Sequence, residues 1–143
     1  MLKEVHDHIT NELTQGARTD TIFVITAVVF NLVVLGINSG IASSANNPYD
    51  SGSNLSQDIL LVVFMILLLL VNGIAIIALS VGKQTRQKLL NGLVEMYKDN
   101  EVDKYYDLTL LSNYNVRYLL FTGVILCLGI TAVIVPLIIR LVN

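Results

Sequence analysis

The stretch "HDH" places His6 and His8 two positions apart, and imidazole pairs are common metal ligands. On a helix, residues two apart point about 200° away from each other. No cysteine lies near them and the nearby acids read as solvated side chains, so no metal site is expected. The acidic run "DNEVDKYYD", with Asp99, Glu101, Asp103 and Asp107, lacks the glycine and the spacing of a calcium loop and reads as the start of a solvated helix. No Ser-His-Asp set, phosphate loop or zinc-protease pattern occurs. Among the remaining polar groups inside apolar runs are the amides Asn31, Asn38 and Asn72 and the hydroxyl of Thr131. An amide in hydrocarbon seeks a partner, and such bonds contribute about 0.6 to 2 kcal/mol. Two kinds of chemistry fit these residues. One is a hydrogen bond that fixes the register of neighbouring helices. The other is a polar ring lining a pore in an oligomer.

The distribution of charge defines the helices that carry these residues. The chain has 143 residues, enough for one domain, of which 54% are hydrophobic and only 14% charged. An ordinary soluble domain is nearer a quarter charged. Residues 21–42, 59–82 and 118–139 carry no charge at all. Each is longer than the ~20 residues with which a helix crosses a ~30 Å hydrocarbon core. In lipid the backbone must satisfy its own hydrogen bonds, which selects helices. The expected fold is therefore an all-α integral membrane protein with three transmembrane helices in a single membrane domain. With spans of that length, antiparallel neighbours bring Asn31 and Asn72 to nearly one depth, with Gly129 and Thr131 beside the midpoint of the third span. Asn38 lies two turns further out on the face of Asn31. Pro136 is expected to kink the third span, because the carbonyl of Ala132 loses its donor.

Positive charge sets orientation. Residues 43–58 contain no Lys or Arg. Residues 83–117 contain six: Lys83, Arg86, Lys88, Lys98, Lys104 and Arg117. The bias places the N-terminus and residues 83–117 in the cytoplasm, and the loop 43–58 and the tail 140–143 outside, in what is expected to be the plasma membrane. Arg140 dissents, and a long side chain can snorkel to the interface. The outer loop is rich in Ser, Asn and Gly and reads as irregular chain; its Asn54-Leu55-Ser56 acceptor pattern is expected to go unused. Residues 1–20 lack the basic start and short apolar core of a cleaved signal peptide. Leu2, Val5, Ile9 and Leu13 form an apolar stripe on an amphipathic helix. That helix either breaks at Gly16, with Thr19-Asp20 capping the first span, or runs straight into the membrane. The second span is expected to continue as a helix to about Lys98. After a turn at Asp99-Asn100, with Asn100 and Asp103 as a capping box, a second helix carries Val102, Tyr105, Tyr106 and Leu108 to Leu111. "SNYN" at 112–115 then breaks or caps the chain before the third span. These two helices form a cytoplasmic hairpin, and the N-terminal helix is its natural cover.

Small residues recur at intervals of four: Gly36 and Gly40 in the first span, Ala78 and Gly82 in the second, Gly123, Cys127 and Thr131 in the third. Such stripes let helices approach closely, within one chain or between chains. The span interiors hold no Asp, Glu, Lys, Arg or His, which argues against a pump, an ion-coupled transporter or a voltage sensor. They offer no acid–base chemistry either, so an enzyme is the least expected class and no cofactor is implied. Net charge is −2 with no basic patch for nucleic acid. A lone Cys127 permits no intrachain disulfide. The expected function is a non-enzymatic self-assembling or accessory subunit of a membrane complex, partnered by the bilayer and by copies of itself or other membrane proteins. The alternative is a homo-oligomeric pore or ion channel lined by Asn31, Asn38 and Asn72.

Overall fold

Among the described residues the computed structural model holds three helices: α1 (Leu2–Ser44), α2 (Asn54–Asp99) and α3 (Thr109–Val142). The structure describes residues 2–44, 54–102 and 109–142. All three helices are long and apolar enough to cross a membrane, and the chain is an all-helical membrane protein. α1 and α3 run in one direction and α2 returns between them. We call the end holding the α1 N-terminus and residues 83–117 proximal, and the end holding Ser44, Asn54 and Val142 distal.

The helices are longer than their apolar cores. α1 passes through Gly16 without a break, so the N-terminal stripe and the first span are one rod. Within that rod Thr19-Asp20 cannot act as an N-cap, because the backbone donors there already bond the preceding turn. α2 continues past the end of its uncharged run at Gly82 to Asp99. There the amide of Val102 donates to Tyr97 O and that of Glu101 to Lys98 O, both at 3.0 Å. Glu101 takes φ 56°. This is a Schellman ending with a non-glycine residue in the left-handed position. The Asn100 amide nitrogen donates to Met96 O at 2.7 Å. Asn100 therefore closes α2 rather than opening a following helix, which corrects the capping-box expectation.

The expected second hairpin helix does not start at Val102, which lies outside any helix. Residues 103–108, with Asp103, Tyr105, Tyr106 and Leu108, fall outside the described residues, and Thr109 already belongs to α3. "SNYN" does not break the chain; Ser112 to Asn115 are helical within α3. The reason is tertiary. Asn115 Oδ1 accepts a hydrogen bond from Gln87 Nε2 at 2.9 Å, and the Tyr114 ring lies 5.3 Å beneath the Arg86 guanidinium. Both contacts reward helical geometry in residues whose intrinsic preference is for turns. The outer loop is also shorter than its composition implied, since α1 reaches Ser44 and α2 begins at Asn54. α3 runs through Pro136 to Val142.

Packing obeys a seven-residue repeat. Buried positions are 20, 27, 31, 34, 38 and 42 in α1, and 61, 68, 72, 75, 79, 86, 90 and 93 in α2. In α3 they are 118, 125, 129, 132 and 136. Spacings of four and three, or seven where one is skipped, define a coiled-coil seam. Two apolar layers occupy it. Ala27, Ala75, Leu79, Tyr118 and Ile125 form the proximal one, and Val34, Leu68 and Ala132 the distal one. Outward positions such as Ile22, Leu32, Leu70, Ile77, Leu119 and Ile130 are exposed apolar side chains that face lipid.

Beyond the apolar core α1 still lies against α2. His6 Nε2 is 3.1 Å from Tyr97 Oη, and Leu90 and Leu93 are buried. Leu90→Ala is therefore expected to lower stability in detergent by about 2 to 4 kcal/mol. Leu119→Ala, at a position 73% exposed, is expected to leave thermal unfolding almost unchanged. Equal effects of the two would mean that residues 83–99 do not pack as a structural layer.

Candidate functional site

Polar groups enter the seam at three levels. The middle level separates the two apolar layers. Asn31 Nδ2 donates to Asn72 Oδ1 and Asn72 Nδ2 donates to Asn31 Oδ1, both at 2.9 Å. Asn31 is 1% exposed and Asn72 7%, so the two amides satisfy each other away from any other partner. Gly129 completes this layer. A Cβ at Gly129 would lie 2.7 Å from Asn72 Nδ2. The missing side chain on α3 thus provides the space in which α1 and α2 bond.

The proximal level is ionic. Asp20, Arg86 and Tyr118, one from each helix, are all buried. The Tyr118 hydroxyl donates to Asp20 Oδ2, and Arg86 Nη2 lies 3.5 Å from the same oxygen. The guanidinium also reaches Leu13 O at 3.4 Å and stacks over the Tyr114 and Tyr118 rings. Gly82 admits the carboxylate, since a Cβ there would meet Asp20 Oδ1 at 2.5 Å. A buried ion pair of this kind adds little net stability, but losing one partner strands a charge and costs about 3 to 5 kcal/mol. The distal level differs. Asn38 is fully buried, yet among the described residues neither its Oδ1 nor its Nδ2 has a hydrogen-bond partner. Near the distal end of the bundle Arg140 Nη2 pairs with Asp58 Oδ1 at 3.0 Å.

The residues singled out from the sequence fall into separate places. Asn31 and Asn72 come together, and Asn38 sits on the same row of α1 without reaching them. Thr131 is exposed and donates to Cys127 O at 2.8 Å, so it belongs to the outer surface of α3 and not to the asparagine layer. Cys127 is likewise exposed. Gly82 receives Asp20, and its neighbour Ala78 lines the α1–α2 groove beside it. Gly36, Gly40 and Gly123 have nothing within 4 Å of where a Cβ would stand. Among the described residues they bring no helices together. Among the described residues no three His, Cys, Asp or Glu gather as a metal site; His6 contacts Tyr97 and His8 is exposed.

The ionic cluster was missed in the sequence. A signal for it exists. Asp20 is seven residues before Ala27, Arg86 seven after Leu79, and Tyr118 seven before Ile125, so each extends the buried row of its own helix. Compared with known proteins, the chain matches no family model, no curated protein and no solved structure.

The asparagine layer makes a thermodynamic cycle decisive. Asn31→Ala and Asn72→Ala are each expected to destabilise by about 1 to 2 kcal/mol, and the double variant to lose less than their sum, because no amide is then left stranded. Gly129→Ala is expected to destabilise the native chain by pushing Asn72 away, and to become neutral or stabilising once Asn72 is alanine. Asn38→Val is expected to raise stability by about 1 kcal/mol or more, since it removes an unpaired buried amide. Thermal unfolding in detergent measures all of these. Strictly additive losses at Asn31 and Asn72 would show that the pair does not set register.

Proposed function

We propose that this protein is a non-enzymatic membrane subunit that assembles with copies of itself or with other membrane proteins. In this reading its N-terminus and residues 83–117 are cytoplasmic and its C-terminus is external. The observation that carries the reading is the division of labour between seam and surface. Polar side chains at the middle and proximal levels are engaged in holding the three helices together. The small residues Gly36 and Gly40 instead lie open on the outer face of α1, where bare backbone is available to a helix from another molecule. The pore alternative draws less support. A ring of protomers would present Asn31, Asn38 and Asn72 to its axis only if they left the seam of their own bundle, where all three are buried.

Orientation rests on the Lys/Arg asymmetry of the loops. In a Cys127→Ser background, S51C is expected to react with an impermeant thiol reagent on intact cells and K88C only after permeabilisation. The reversed pattern would overturn the orientation.

Assembly is tested at the glycines. Gly36→Leu with Gly40→Leu is expected to leave the fold of the single chain intact, because among the described residues nothing lies within 4 Å of either Cβ position, and to reduce the mass of the detergent-solubilised particle to that of one chain. An unchanged mass would remove this face as the contact, and a large uniform ring with ion flux in reconstituted bilayers would favour the pore.

A further inference from the structure

Two clefts lie between the proximal parts of α2 and α3. The upper one, about 300 Å³, is edged by Lys83, Arg86, Gln87, Asn91, Tyr114 and Asn115. The lower one, about 190 Å³, lies toward the apolar part of the bundle and is walled by Leu79, Ser80, Leu119 and Thr122. Lys83, Asn115 and Tyr118 border both, so the two form one crevice with Lys83 at the junction. Among the described residues no acidic side chain lines either lobe.

Charge and depth both bear on what fits there. Arg86 is committed to Asp20 behind the cleft, so that pair is close to neutral. Lys83 is half-buried and among the described residues pairs with no carboxylate. It therefore contributes an uncompensated positive charge. Lys83 is eleven residues from Asn72 along α2, which is about 16 Å of helix. With the asparagine layer near the bilayer midplane, Lys83 reaches the edge of a ~30 Å hydrocarbon core, at the level of lipid phosphates. A polar cationic lobe above an apolar lobe, at that depth and open toward lipid, matches an amphiphile with an anionic head.

We propose that the α2–α3 crevice binds an anionic phospholipid of the proximal leaflet, with its phosphate at Lys83 and the start of an acyl chain along Leu79 and Leu119. Gln87 and Asn115, which bond each other across the mouth, supply amides beside the phosphate. The shared chemistry with soluble ligands is a phosphate ester, and the lower lobe is what selects the lipid.

The test uses the full chain in detergent, with native mass spectrometry and thermal unfolding as readouts. Phosphatidylglycerol is expected to be retained and to raise the unfolding temperature, and phosphatidylcholine to do neither. Lys83→Gln is expected to weaken phosphatidylglycerol binding about fivefold, the effect of one basic residue at a membrane surface. Lys83→Arg is expected to preserve it, and Lys88→Gln, on the exposed face of α2, to change nothing. Equal retention of the two lipids would overturn the proposal. So would full binding by K83Q, or stabilisation by inorganic phosphate equal to that by the lipid, which would make the site one for a free anion. Loss of binding in Arg18→Gln/Arg117→Gln, with K83Q unaffected, would move the site to the α1–α3 groove that those arginines line and overturn it as well.

Discussion

One reciprocal amide bond, Asn31 to Asn72, fixes the arrangement of this bundle. Apolar packing in lipid is weakly selective, because leucine against leucine and leucine against acyl chain are nearly equivalent. Sliding α1 past α2 by a turn would exchange one apolar contact for another. It would also leave two amides unbonded in hydrocarbon. The pair therefore converts a permissive interface into one register. Gly129 extends the constraint to the third helix, since only a residue without Cβ passes the Asn72 amide at the observed spacing.

With that layer set, the ends of the bundle are set too. Asn72 lies fourteen residues from Asp58 and fourteen from Arg86, and Gly129 lies eleven from Tyr118 and eleven from Arg140. The polar layer is thus midway between the distal pair Asp58–Arg140 and the proximal cluster Asp20–Arg86–Tyr118. Charges at both membrane edges are held by partners on neighbouring helices, and each edge contact is compatible with only one vertical offset. Edge and centre enforce the same register, which is the consistency across levels that gives a sequence a single fold.

The spans were legible because charge is excluded from them, and the shared depth of Asn31 and Asn72 was legible because antiparallel spans of similar length align their midpoints. What was hidden depended on contacts between helices. Asp20 beside an apolar run reads as a cap, yet α1 begins at Leu2, so its carboxylate is free to turn inward to Arg86 and Tyr118. "SNYN" reads as a break, yet Asn115 and Tyr114 have partners on α2. Gly36 and Gly40 carry the spacing of a helix contact, but spacing does not say which face of α1 the contact uses. The seven-residue row through positions 20, 27, 31, 34 and 38 assigns the seam to the opposite side.

This division bears on how such a chain can have a function at all. With Asn31, Asn72 and the proximal cluster bonded within the seam, the contacts we propose with a neighbouring helix and with a lipid fall on the outer faces. Those faces are not uniform. α1 carries bare glycine backbone distally, where contact with another helix would exclude lipid chains. The α2–α3 crevice carries Lys83 proximally, which among the described residues pairs with no carboxylate and which we propose to meet a lipid head. A neighbour helix and an anionic lipid would thus approach from different sides and at different depths, so that neither need displace the other. A fold in which Asn31, Asn72 and the proximal cluster bond one another can in this way be held rigid while both surfaces are occupied.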